Sequence, residues 1–144
     1  MSHSVTRRVR ALAAAVLASC LITDWSAAQV TAGEVPKQVH FIIDGNRLVA
    51  SNVRFNRFDE LRLNAQERVD DSSEGDAVIV VVTNQRVIAY GAVSGWRTID
   101  RVPSERIESL SAEDYAGLVV TSRRMLNFNG ESGVWGERVR TVAR

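Results

Sequence analysis

The chain of 144 residues has one cysteine, Cys20, so no disulfide can close within it and a folded domain must rest on its hydrophobic core. It has two histidines, His3 and His40, far from any cysteine. That excludes the usual three- or four-ligand zinc site. Lys37 is the single lysine among 18 basic residues. Taking away Arg7, Arg8 and Arg10 at the N-terminus leaves 15 basic against 17 acidic residues, a charge near −2. Nucleic-acid binding, which needs clustered positive charge, is not expected. The only prolines are Pro36 and Pro103, and helical periodicity is weak throughout. No glycine-rich phosphate loop is present, and no cofactor or metal is expected.

What is present begins with an export signal. Met1–Arg10 carries three arginines and no acid, and Ala11–Ala18 is an unbroken apolar run too short to span a membrane. Two endings compete. Leu17-Ala18-Ser19-Cys20 resembles the lipobox of bacterial lipoproteins, which implies a mature N-terminus at a lipidated Cys20. Leu21 follows where an Asp is absent, and in Gram-negative lipoproteins that pattern implies outer-membrane sorting. Alternatively, Ser26-Ala27-Ala28 fits a signal-peptidase site, releasing a soluble periplasmic protein from Gln29. Residues 1–28 are thus read as signal peptide and tether, and 29–144 as the folded domain.

The domain repeats itself. Thr83 to Arg86 and Thr121 to Arg124 share the spacing T-x-x-R, and Asp44 to Arg47 keeps it with Asp for Thr. These arginines are 39 and 38 residues apart. An aromatic follows each in register, namely Phe58, Trp96 and Trp135, and Glu67-Arg68-Val69 matches Glu105-Arg106-Ile107. With the apolar stretch after each arginine (Leu48-Val49-Ala50, Val87-Ile88-Ala89-Tyr90, Met125-Leu126-Asn127-Phe128), four landmarks in constant order define a fixed period. The expected units are about 37–76, 77–115 and 116–144.

Each unit has room for four strands. Val78-Ile79-Val80-Val81-Val82 is dense in β-branched residues, as in a strand buried on both faces. Gly45-Asn46, Asn84-Gln85 and Ser122-Arg123 are two-residue hairpin connections. Ile88 and Tyr90, like Leu126 and Phe128, alternate so as to reach the core. Ser94-Gly95 and Ser132-Gly133 supply the next turn, and a fourth strand is expected through Glu105 to Leu110. The fold class is all-β, with three antiparallel four-stranded units.

Tyr90–Trp96 (Y-G-A-V-S-G-W) and Phe128–Trp135 (F-N-G-E-S-G-V-W) resemble the aromatic–turn–Gly–Trp segment of Kelch-type β-propeller blades, without their Gly-Gly pair. The resemblance covers roughly residues 37–144 and implies blade-like sheets. Three blades do not close a ring, which typically takes 4 to 8. A homodimer making six, a β-trefoil, and an open stack are the alternatives.

The candidate ligand-binding residues come from the repeat. Arg47, Arg86 and Arg124 would bind an anion if a rotation brought them together, or would carry their charge to water along strands. Phe58, Trp96 and Trp135 would stack on sugars in a lectin, or would pack between units. Asp70–Asp76 resembles the start of a calcium loop but has Val81 where a late acid belongs, and reads as a polar loop between units. His40 sits in a V-H-F-I-I strand, which suits a structural role better than a catalytic one. The expectation is a non-catalytic cell-envelope repeat protein that binds other proteins or glycans.

Overall fold

The computed structural model describes residues 33–141, which are all strand, turn and loop. The export signal, Cys20 and the alternative cleavage sites lie outside the described residues. Eleven strands form three separate antiparallel sheets. Sheet I holds β1 (Val39–Asp44), β2 (Arg47–Asn52) and β3 (Arg57–Arg62) in that order. Sheet II holds β4 (Val69–Glu74), β5 (Val78–Thr83), β6 (Arg86–Gly91) and β7 (Gly95–Asp100). Sheet III holds β8 (Ile107–Glu113), β9 (Ala116–Thr121), β10 (Arg124–Asn129) and β11 (Val134–Val139).

The three predicted hairpins form at Gly45-Asn46, Asn84-Gln85 and Ser122-Arg123. Gly95 and Gly133 occupy the left-handed region at φ of 73° and 69°, so glycine is required where those turns re-enter β7 and β11.

Sheet II lies between the other two, and β5 is buried along its whole length. Its side chains alternate between two cores. Ile79 and Val81 join Ile88 and Tyr90 of β6 against Leu48 and Ala50 of sheet I. Val78, Val80 and Val82 join Val87 and Ala89 against Val119, Leu126 and Phe128 of sheet III. Burying one such aliphatic side chain contributes about 1.5–3 kcal/mol, so a charge placed at Val80 would unfold the stack. Each sheet therefore has two distinct faces. One bears Ile88 and Tyr90, or Leu126 and Phe128, and is called here the front. The other bears Val87 and Ala89, or Leu48 and Ala50, and is the back. Both internal interfaces set the back of one sheet on the front of the next.

These separate, face-packed sheets agree with blade-like repeats; they are not the shared arrangement of a β-trefoil. Two details differ from the sequence reading. The hydrogen-bonded sheets are out of phase with the sequence units, because β4, from the first unit, pairs with β5 of the second, and β8 pairs with β9 in the same way. Among the described residues sheet I accordingly has three strands. Second, Asp70–Glu74 lies in β4 and Glu108–Glu113 in β8, both edge strands. Their Asp, Glu and Ser side chains keep a sheet edge polar, which discourages pairing with other chains.

Candidate functional site

Two of the three repeat arginines are held by acids of the chain itself. A turn from Val102 to Glu105, closed by the Glu105 N–H donating to the Val102 carbonyl (3.0 Å), has Pro103 followed by Ser104 at φ 66°. That is the pattern of a type II turn. The turn places the Glu105 carboxylate under β9 and β10. Oε1 accepts from Thr121 Oγ1 at 2.6 Å and from Arg124 Nε at 2.8 Å. Oε2 accepts from the Val102 N–H at 3.0 Å and from Arg124 Nη2 at 3.1 Å. Arg124 Nη2 also donates to the Asp100 carbonyl at the end of β7, at 2.6 Å. One guanidinium thus fastens the turn, its own sheet and the sheet before it.

The same device appears one period earlier. Glu67 accepts from Thr83 Oγ1 (2.8 Å), Arg86 Nε (2.8 Å), Arg86 Nη2 (3.1 Å) and the Asn64 N–H (2.7 Å). Arg86 Nη2 reaches the Arg62 carbonyl at the end of β3, at 3.2 Å. Both carboxylates are fully buried, while the side chains of Arg86 and Arg124 are 15% and 7% exposed. Burial pushes each carboxyl pKa up, but the hydrogen bonds from arginine, threonine and backbone outweigh it and hold Glu67 and Glu105 below the ordinary value. Hydrogen bonding to Glu105 raises the pKa of Arg124 in turn, against the opposing effect of its own burial.

This corrects both sequence readings of the arginines. Arg86 and Arg124 neither run to water nor offer themselves to an anion, because buried carboxylates occupy them. Arg47 differs. Nineteen residues before it stands Ala28 instead of an acid, and its half-exposed side chain pairs with Glu60 across the strand at 3.0 Å. The deciding residues, Glu67 and Glu105, were visible as landmarks. Their identical spacing to Thr (16 residues) and Arg (19 residues) was the signal that joined them.

The three aromatics part company. Trp96 packs on Tyr90 with centroids 4.9 Å apart, and its Nε1 donates to the Asp59 carbonyl at 3.1 Å. Trp135 packs on Phe128 at 5.0 Å, with Nε1 buried and unpartnered. Both are partly buried against the cores between sheets, so neither presents a free ring face of the kind a sugar needs. Phe58, at the same register on β3, is 67% exposed.

A polar cluster joins sheets I and II. Asn52 Nδ2 donates to Tyr90 Oη (2.6 Å) and to the Ala92 carbonyl (2.7 Å), and Tyr90 Oη donates to Asp59 Oδ2. Burial and then the Asp59 hydrogen bond push the Tyr90 phenol up to about 12. Asp59 is in turn paired with Arg57 at 2.9 Å. Every member is satisfied from within the chain, which suits cohesion between sheets. His40 is exposed on β1 with Nδ1 3.9 Å from Glu74. Among the described residues no three His, Cys, Asp or Glu side chains are placed to hold a metal ion. A surface groove of about 470 Å³ is polar and open, and Arg101 in it already pairs with Asp70.

No protein-family model matches this chain, and no curated protein matches it in sequence.

The surface that remains is the pair of outward sheet faces. Among the described residues, nine large apolar side chains are exposed: Ile42 and Phe58 on the outward face of sheet I, Leu118 and Val134 on that of sheet III, Ile43 and Val139 on the inward sides of those sheets, and Val53, Phe55 and Val93 in turns.

Proposed function

We propose that this chain is a non-catalytic module of the bacterial cell envelope that works through its outward sheet faces, as a protein-interaction or structural element. The observation that carries this reading is the exposure of Ile42 and Phe58 on the outward face of sheet I and of Leu118 and Val134 on that of sheet III, while Arg86, Arg124, Trp96 and Trp135 are engaged within the fold. Apolar residues gathered on a surface mark interaction sites. In this reading the Kelch-like segments and the lipobox-like Cys20 support a module of blade-type repeats held at the outer membrane's periplasmic side, or free in the periplasm if cleavage follows Ala28.

A photo-crosslinking residue placed at Phe58 or Leu118 in cells tests the proposal. Discrete protein adducts at either face are expected, and none at either would overturn it. Radiolabelled fatty acid should enter the wild type and not Cys20→Ala; absence of label in both would leave the soluble form.

Carbohydrate binding is the second reading, and the exposure of Phe58 beside Phe55 is what favours it. Glycan-array binding lost in Phe58→Ala while the fold is retained would establish it. Binding lost only in Trp96→Ala together with folding would return that residue to the core.

A further inference from the structure

We infer that the outward face of sheet III docks on the outward face of sheet I of a second copy of this chain, and that two such contacts close a ring of six sheets. The inference rests on the interaction-module reading and names its partner.

The partner follows from the two interfaces already formed within the chain. Each joins a back to a front, so the stack has direction: among the described residues no other sheet covers the front of sheet I or the back of sheet III. Residues occupy these free faces at the registers of buried counterparts. On the front of sheet I, Ile42, Val49, Ser51 and Phe58 stand where Val81, Ile88, Tyr90 and Trp96 stand in sheet II. On the back of sheet III, Leu118, Val120, Met125 and Asn127 stand where Val80, Val82, Val87 and Ala89 stand. Val80 and Val81 are fully buried, whereas Leu118 and Ile42 are 42% and 49% exposed. The internal interface therefore has two unfilled halves of the kind that match each other and not themselves.

Arg47 gives the register. In both internal interfaces the arginine that opens a strand donates through Nη2 to the carbonyl ending the preceding sheet, at Arg62 or Asp100. Those carbonyls belong to the residues paired across the hairpin with Arg47 and Arg86. The residue paired with Arg124 is Val139, exposed at the end of β11. Arg47 is thus the donor for the Val139 carbonyl of a second copy. A contact between unlike patches makes a closed ring or an open filament. With three sheets among the described residues of each chain, two copies reach six, within the range in which blade rings close.

The test uses the full chain in a Cys20→Ala background. Versions carrying only Ile42→Cys and only Leu118→Cys, with different tags, are mixed and treated with a bis-maleimide whose spacer suits sheets ~10 Å apart. A cross-link between the two versions, with a light-scattering mass of two chains, is expected. Cross-links within either version alone, a mass of one chain, or a mass that climbs with concentration would each overturn the inference. Ile42→Asp, at a half-exposed position that leaves the fold intact by circular dichroism, should weaken pairing roughly 30-fold or more, and unchanged pairing also overturns it. A one-chain mass together with photo-adducts to a different envelope protein at Phe58 or Leu118 would end the self-pairing and leave the module reading in place.

Discussion

Replacing Glu105 by alanine isolates the fastening between sheets II and III. The substitution removes the acceptor for Thr121 Oγ1, for two nitrogens of Arg124 and for the Val102 N–H. It leaves a guanidinium that is 7% exposed with only Glu137 (3.3 Å) and the Asp100 carbonyl for company. Breaking a buried ion pair from one side typically costs about 3–5 kcal/mol. Because Glu137 and the Asp100 carbonyl remain, the lower end applies, about 3 kcal/mol. For a domain of this size that is a fall in Tm of roughly 12–20 °C. Removing the stranded charge as well, in Glu105→Ala with Arg124→Met, should recover about 2 kcal/mol, since an apolar pair avoids the desolvation of both ions. Urea unfolding of the wild type, the two single variants and the double variant, followed by circular dichroism, measures all four corners of the cycle. A loss below about 1 kcal/mol in Glu105→Ala, or a double variant no better than that single one, would show that the pair does not hold the sheets together.

Acid provides an independent reading of the same groups. Glu67 and Glu105 have folded pKa values below the ordinary carboxylate value of 4.5, so on acidification the unfolded chain takes up protons first. Their contribution is complete above about 4.5 and is lost as pH falls through the lowered folded values. Stability that stays flat from pH 5 to pH 3 would contradict this, and Glu67→Gln with Glu105→Gln should flatten the slope. Gly91→Ala should cost about 2–3 kcal/mol by thermal melting, because its Cβ would lie 2.1 Å from the Gly130 carbonyl oxygen of the neighbouring sheet. Gly33→Ala, with nothing within 4 Å, is the control and should melt as wild type. Trp96→Phe gives up a hydrogen bond to the Asp59 carbonyl, whereas Trp135→Phe removes an N–H that had no partner. The first should be less stable than the second by about 1 kcal/mol; equal losses would mean that the Asp59 bond contributes nothing.

Much of the fold was legible in the sequence because the repeat displayed each element more than once. The β-branched run at Val78–Val82, the two-residue hairpins and the alternation of Ile88 with Tyr90 all depend on neighbours close along the chain. The phase of the sheets was not legible. A period of 38 residues fixes spacing but not where one sheet ends and the next begins, and the pairing of β4 with β5 depends on the path of the Gly75–Ala77 connection. Asp70–Glu74 was taken for loop because its polarity reflects a sheet edge, and composition does not separate an edge strand from a loop. The repeat arginines and aromatics stood out as landmarks in the sequence, but what each is paired with did not. Arg86 and Arg124 were conspicuous, but their acids lie 19 residues back, beyond the reach of local pattern, and only the fold brings them together.

The phase shift of the sheets also bears on how such a chain grows. Because β4 and β8 each complete the sheet formed by the next stretch of chain, a sequence unit is never a folding unit. Deleting the 38 residues 77–114 would remove the partners of β4 and the β8 strand that completes sheet III in one cut, yet would bring β4 up to β9 in the register that β8 had held. A loss or gain of one whole period can therefore be absorbed wherever the cut falls, and any other length cannot.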